Sequence, residues 1–291
     1  MISQNAVYRV RKATKRFRIT PLLRFFRILL LFGPWRTVVR KFICMIRPPR
    51  FEVVVPDIQC IEWYDDATEL CMQTRRNSVV RAGIVDERLL KEITSITNKL
   101  PVEQYQEIHK VDPNIRQLVE DPGLNNLIRR YFRSEPIMLE CTLFITSNEK
   151  GASPTAPPEY HFDYATWDFL NIFVYLTDVR DNSAYHEVVE GSHRNKTLRD
   201  CAFQPAISID EVARRFGQRF RALKGQAGSI YMENTEAFHR RKPSTERRVM
   251  LNILYASCPD IFCKGRTLPA NIRKRDQQYS RLLSGLTDRY C

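Results

Sequence analysis

Two residues in the stretch EYHFDYATWDF, which begins at Glu159, could do metal chemistry: His161 and Asp163, one residue apart and surrounded by aromatic side chains. If the stretch is an extended, buried strand, positions i and i+2 project to one side, about 6–7 Å apart at Cα. An imidazole and a carboxylate at that separation can close on one cation. A second imidazole from a distant strand would complete a facial set of two histidines and one carboxylate. Such a set leaves adjacent coordination positions open and suits non-haem Fe(II). Softer sites would use thiolate, and a Mg²⁺ or Ca²⁺ site mostly oxygen.

The chain has five histidines, and His109 falls in a helical stretch, so the third ligand is His186, His193 or His239. His239 is the best of the three. It follows GQAGSIYMENTEAF, which reads as a strand, a turn and a return strand that brings a residue back to the mouth of a sheet. Nine residues on stands Arg248, at the start of the apolar strand VMLNILYA. An oxygenase that consumes 2-oxoglutarate needs a cation for the far carboxylate of that cosubstrate, and guanidinium is an always-charged, bidentate clamp. Arg247 is adjacent, so two candidates stand side by side. Counting back from the strand end favours Arg248, which shares a face with Met250 and Asn252, whereas Arg247 shares one with Val249, Leu251 and Ile253. The segment HEVVEGSH, with His186, Glu187, Glu190 and His193, lacks the spacing of a helical HExxH site. His186 reads as structural and His193 as structural or pocket-lining.

These residues need a frame. A chain of 291 residues, 43% hydrophobic and 27% charged, has ample material for a core. From Pro136 the texture is β: PIMLECTLFITS alternates, and FLNIFVYLTDV, YHEVVEGSH, GQAGSIYMEN, AFHRR and RVMLNILYAS follow. Six to eight short antiparallel strands in some 120 residues predict a sandwich or jelly roll. Ser208, with Glu211 three residues on, predicts a helix start inside this region. Residues 51–135 read as mostly helical. Asp86 is the expected cap of a helix bearing Leu89, Ile93 and Ile96, and a second helix follows a Pro-Gly turn after Asp121. LPANIRKRDQQYSRLLSGL reads as a C-terminal helix. The division expected is a basic extension over 1–50, a helical region over 51–135 packing on the core, and a β core with a C-terminal helix over 136–291.

Here the sequence resembles the phytanoyl-CoA dioxygenase family. The resemblance runs over about residues 80–256 and is carried by HFD at 161–163, YLTDV at 175–179, EGSHR at 190–194, FHRRKPSTERR at 238–248 and the strand after it. It implies a double-stranded β-helix, a jelly-roll variant of α+β class with a mostly β core, a helical N-terminal region and helical insertions. It implies Fe(II), 2-oxoglutarate as cosubstrate and O₂, with His161, Asp163 and His239 as iron ligands and Arg248 as clamp. Halogenating relatives lack the carboxylate, so Asp163 implies hydroxylation. The chain departs from the family pattern after the distal histidine, where RRKPST replaces small Gly and Asn residues. Asn171 and Tyr175 share a face of the next strand and are candidates to touch 2-oxoglutarate, with Ser244 a weaker one. Tyr160, Phe162, Tyr164, Trp167 and Phe169 read as core or as lining of a substrate channel. The same iron site could instead serve desaturation or isomerisation, or the fold could have lost its chemistry and bind a membrane surface or partner.

Charge separates the N-terminus from the rest. Residues 1–50 hold thirteen of the 46 Lys and Arg and no Asp or Glu; the remaining 33 cations balance 33 acids. Arginines alternate there with apolar groups, Arg24 and Arg27 lying one turn apart, as in a basic interfacial helix on an anionic membrane surface. A helical extension packed on its own domain is the competing reading. RPPR at 47–50 reads as a stop and linker. The basic excess belongs to this segment alone, so no nucleic-acid partner is expected. The eight cysteines form no CxxC pair and read as reduced thiols. The expected location is cytoplasmic and peripheral to a membrane, and the expected substrate is a small or lipid-like organic molecule.

Overall fold

The computed structural model describes residues 35–54, 59–146, 159–203, 206–242 and 246–258, with Phe26, Leu30, Leu31 and Gly33. The expected C-terminal helix, the arginine pair at 24 and 27, and Ser244 lie outside the described residues.

Two antiparallel sheets face one another. The strands are β1 (Ile61–Trp63), β2 (Val79–Val85), β3 (Gln104–Gln106), β4 (Ile137–Thr146), β5 (Phe169–Tyr175), β6 (His186–Val189), β7 (Phe220–Ala222), β8 (Ser229–Glu233), β9 (His239–Arg241) and β10 (Arg248–Ala256). The large sheet has the order β1-β2-β8-β5-β10-β4-β3 and the small one β7-β6-β9. Bridges at Tyr160↔Ile207 and His161↔His239 extend the small sheet beyond β9. This is the jelly-roll arrangement expected.

Side-chain alternation splits the large sheet into two environments. Ile172, Val174, Ile230, Met232, Val249, Leu251 and Ile253 face outward into the main core under the helices. Phe173, Tyr175, Tyr231 and Met250 face inward, where they meet Val188 of the small sheet. The helices that cover the outer face are α2 (Ala67–Asn77), α3 (Glu87–Thr97), α4 (Pro113–Val119) and α5 (Pro122–Phe132). Each is started by an aspartate whose carboxylate accepts backbone N–H groups of the first turn: Asp66, Asp86, Asp112 and Asp121 respectively. On α3, Leu89, Ile93 and Ile96 are buried as their spacing predicts. Pro122 lies within the first turn of α5 rather than in a turn before it. Two helices interrupt the β region, α6 (Leu198–Phe203) and α7 (Ile209–Phe216), the latter capped by Ser208.

Two expectations change. The boundary expected at residue 135 is crossed by pairing: β2 bonds to β8, β1 to β2, and β3 to β4, so residues 51–135 supply three strands of the large sheet. VVRAGIV is buried along nearly its whole length and shows no alternation to mark it as a strand. The stretch around His161 is not a continuous strand either. It makes two isolated bridges, at Tyr160 and His161, and then turns away, because the Asp163 N–H bonds to the carbonyl of Thr235 in the turn before β9.

The N-terminal helix α1 (Arg36–Ile46) lies across the core. Arg36 pairs with buried Glu236, and its Nε donates to the carbonyl of Trp167. Arg40 lies 2.8 Å from Asp168. Burial pushes the Asp168 carboxyl up to about 6 although Arg40 and Arg36 act to lower it. Leu31 is buried against Phe162, Val212 and Phe238. Among the described residues no helix is long and apolar enough to cross a membrane.

Gly83 marks the tightest approach in the large sheet. A Cβ there would stand 2.3 Å from the carbonyl oxygen of Glu62, at the point where the β2–β8 register shifts. Gly83→Ala should therefore cost about 1–3 kcal/mol of stability, read as a lowered denaturation midpoint with metal affinity unchanged.

Candidate metal centre

The two histidines meet through the backbone. The His161 N–H donates to the His239 carbonyl at 2.9 Å, and the His239 N–H returns the bond at 2.8 Å. Residues paired in this way stand directly opposite across the ladder, about 5.5 Å apart at Cα. Their rings lie 4.5 Å apart. Asp163, two residues on, projects to the same side, and its Oδ2 lies 3.7 Å from His239 Nε2. One ligand atom from each of the three residues lies within 4.8 Å of the other two, the only such group of metal-ligating side chains among the described residues.

Alternation explains why the set points into one space. Tyr160, Phe162 and Tyr164 pack into a second core with Phe238 and Phe216, so His161 and Asp163 face the other way. Those aromatic residues are core rather than channel lining; Phe169 is buried as well, and Trp167 packs partly against that core. His239 is delivered by the turn from β8 into β9, where the Ala237 N–H bonds to the Asn234 carbonyl.

The donor chemistry fits a divalent cation. His239 Nδ1 lies 3.0 Å from the Ala237 carbonyl, which can only accept, so Nδ1 carries the proton and Nε2 keeps its lone pair toward Asp163. His161 Nδ1 is buried without a hydrogen-bond partner among the described residues. Two imidazoles and one carboxylate, with no thiolate among them, are a set for Fe(II).

His186 and Glu233 lie behind the ligands, and sequence reasoning missed their association. The His186 ring stacks on His239 at 5.6 Å and meets Phe173 edge-on at 4.9 Å. Its Nδ1 lies 3.3 Å from Glu233 Oε2. Burial holds His186 neutral, well below the usual imidazole range, and pushes the Glu233 carboxyl up to about 7. Glu233 sits at an inward position of β8, facing His186 across the two sheets; the only signal for it was a carboxylate inside an otherwise apolar strand. The rest of HEVVEGSH disperses as its spacing suggested. Glu187 accepts from Tyr160 and Arg240, Glu190 from Arg221.

The neighbouring arginines separate completely. Arg247 donates to the carbonyls of Thr97, Asn98 and Leu100 at the end of α3, on the outer face. Arg248 points inward and is 1% exposed. One amino group donates to the Ala184 carbonyl at 2.7 Å, while its Nε has no partner and no carboxylate pairs with it among the described residues. Burial lowers its pKa to about 10, so it stays charged at neutral pH. A buried guanidinium without a counter-ion is costly and fits the carboxylate of a bound cosubstrate. Asn171 and Tyr175 also lie on the inward face. Asn171 donates to Asn252 Oδ1 at 2.8 Å and accepts from Thr235 at 3.1 Å; the Tyr175 hydroxyl donates to the Leu223 carbonyl at 2.8 Å. These bonds build the pocket wall. A separate cleft of about 660 Å³ lies between α1 and the core, lined by Arg36, Arg40, Lys41, Arg133, Asp168 and Glu236 among others; the triad does not line it.

The fold has clear counterparts. The chain is similar to the non-heme alpha ketoglutarate dependent epimerase SnoN from nogalamycin biosynthesis, with a TM-score of 0.54 at 16% identity over 65% of this chain and 82% of that one. It is similar to HygX from Streptomyces hygroscopicus with iron bound (0.52, 15%, 70% and 93%). EctD from S. alaskensis with bound Fe gives 0.51 at 18%, covering 72% and 83%. No protein-family profile matches the sequence, and no curated protein does either. At these identities the likeness defines the fold: a double-stranded β-helix, here carrying two histidines and one carboxylate where its two sheets meet.

His193, the third histidine of the β region, is structural and borders the cleft under α1. Its Nε2–H donates to the Arg75 carbonyl at 3.0 Å and its Nδ1 lies 2.6 Å from the Ser78 hydroxyl. Burial lowers its pKa to about 4; Glu236 opposes the shift, and Lys196 and Arg194 add to it. Between pH 6.5 and about 4 the unfolded chain binds a proton that the native one does not, so acidification removes stability, by about 3 kcal/mol at most. His193→Gln should flatten the fall in denaturation midpoint between pH 7 and 4.5 relative to the parent; an unchanged slope would refute the assignment.

Proposed function

We propose that this chain is an Fe(II)- and 2-oxoglutarate-dependent dioxygenase of the phytanoyl-CoA dioxygenase type that hydroxylates a small organic substrate. The observation that carries this reading is the convergence of His161, Asp163 and His239 on one spot, with the buried Arg248 on the inward side of the sheets. Bound iron supplies the oxidising power, with 2-oxoglutarate and O₂ as co-reactants. The protein's part is placement. The reciprocal backbone pair holds the imidazoles together, and the Ala237 carbonyl fixes the tautomer of His239. Asp163 supplies the negative charge on the exposed side. Arg248 holds the far carboxylate of the cosubstrate, and Phe173, Tyr175 and Met250 keep water from that end. Asn171 and Tyr175 set the wall against which the cosubstrate lies.

The chain, incubated with Fe(II), ascorbate and 2-oxoglutarate, should form succinate, and removal of iron with a chelator should abolish this. Asp163→Ala and His239→Ala should lose metal binding by calorimetry. Arg248→Gln should raise the 2-oxoglutarate requirement roughly tenfold or more, as expected for a lost charge-assisted bidentate contact. Arg247→Gln should leave that requirement alone and lower thermal stability instead. Desaturation, isomerisation or a binding-only module would show as succinate with no hydroxylated product, or as no metal-dependent 2-oxoglutarate binding.

We propose further that the protein is cytoplasmic and docks peripherally on an anionic membrane surface through α1, giving access to a lipid-like substrate. The helix is turned so that Arg36 and Arg40 reach inward to Glu236 and Asp168. On its outer side Val38, Phe42, Met45 and Ile46 are 55–71% exposed, and Phe26, Leu30 and Trp35 continue the apolar surface. The same segment carries thirteen cations and no acid within residues 1–50, the charge pattern for anionic headgroups. The cysteines described in the structure are unpaired, which suits a reducing compartment. Phe42→Glu with Met45→Glu should abolish sedimentation with phosphatidylserine-containing vesicles while leaving succinate formation intact. Retained vesicle binding, or a change in oligomeric state instead, would overturn the docking.

A further inference from the structure

Arg248 is not the only unsatisfied guanidinium on the inner side of the sheets. β9 alternates His239, Arg240, Arg241, so Arg241 shares a face with the metal-site histidine, about 6–7 Å farther along at Cα. Its register partner on β6 is His186, the ring that stacks on His239. Arg240, on the opposite face, pairs with Glu187 at 2.6 Å, and Lys242 donates to the Tyr185 hydroxyl at 2.9 Å. The Arg241 side chain makes no hydrogen bond and no ion pair among the described residues, while its backbone pairs with β6. Cross-strand partners share a face, so Arg241 lies on the side where His186 meets His239. The two carboxylates nearby are engaged elsewhere, Asp163 toward His239 and Glu233 toward His186.

Two like charges held close together without counter-ions call for two anionic groups. Arg248, almost wholly enclosed, suits a cosubstrate that enters first and lies deep. Arg241 is only partly buried, so it faces a group that arrives from the open side. Arg241 belongs to the RRKPST segment at which the chain departs from the small residues of the family pattern, so this cation is a property of this chain.

We infer that Arg241 is the substrate-selecting contact, and that the substrate carries a carboxylate or phosphate which this guanidinium takes bidentately. The inference rests on the oxygenase reading for its first anion and adds the chemistry of the second. Arg241 binds and orients; it is not a metal ligand and does not hold the cosubstrate. An anion fixed there, two strand positions from His239, holds the rest of the substrate toward the metal. It also disfavours neutral molecules, because these leave Arg241 desolvated and unpaired.

The test uses the full chain, loaded anaerobically with Fe(II) and 2-oxoglutarate, and measures calorimetric binding of two probes, methyl phosphate and propanoate. The parent should bind at least one, and which one it prefers tells phosphate from carboxylate. Arg241→Gln should weaken that binding roughly tenfold or more, with 2-oxoglutarate affinity unchanged within about twofold. Arg241→Lys, which keeps the charge, should retain part of it. Arg248→Gln should do the reverse, weakening 2-oxoglutarate first. The inference fails if neither probe binds the parent, if Arg241→Gln leaves probe binding intact, or if Arg241→Gln and Arg248→Gln weaken 2-oxoglutarate alike. If 2-oxoglutarate binds no form of the protein, the oxygenase reading fails, and probe binding to the unloaded parent and Arg241→Gln still decides the anion site.

Discussion

Everything in the site depends on one reciprocal pair of backbone hydrogen bonds, between His161 and His239. Two imidazoles from positions 78 residues apart in the chain become neighbours because their main chains are directly bonded, not because their side chains attract each other. The consequence is rigidity. The ring positions follow from ladder geometry, and the side chains have only to choose rotamers. Asp163 then needs no separate anchor beyond the bond from its N–H to Thr235, because it shares a face with His161. The aromatic side chains between them fill the opposite side, so the same alternation that buries Tyr160, Phe162 and Tyr164 also aims the ligands.

Several polar groups on the inward side of the sheets have no partner among the described residues. Arg248 is enclosed with one carbonyl partner and a bare Nε. His161 keeps an unpartnered buried nitrogen. Arg241 is half-enclosed and unpaired. Buried polar groups of this kind are destabilising on their own. Other cations that reach into the interior meet acids: Arg36 pairs with Glu236, Arg40 with Asp168 and Arg215 with Asp200.

The N-terminal helix shows the same distinction at the surface. An ordinary surface helix buries its apolar stripe and shows its charges. In α1 Arg36 and Arg40 reach inward to two buried acids, while Val38, Phe42, Met45 and Ile46 face out. The ion pairs fix the helix in an orientation that hydrophobic burial alone would reverse, and they leave an apolar surface on its outer side. These pairs tie α1 to the core at Asp168 and Glu236, close in sequence to the metal-site residues Asp163 and His239.

Much of the site was legible in order and spacing. The i, i+2 relation of His161 and Asp163, the distal His239 and the alternation that separates Arg248 from Arg247 are local properties of the chain, because strand periodicity assigns faces without reference to partners. The caps at Asp86 and Ser208 were legible for the same reason. What periodicity cannot state is which elements meet. VVRAGIV is buried on both sides and so shows no period; its place in the large sheet is set by pairing with β8. Glu233 and His186 lie 47 positions apart, and nothing in either local stretch announces the other. The inward cations of α1 depend on acids more than a hundred residues away, and Arg241 becomes a binding candidate only because no carboxylate comes to meet it. The sequence by itself determined which residue types share a face; the tertiary structure alone decided which faces meet and which charges stay unpaired, since both are properties of long-range contacts that no local pattern encodes.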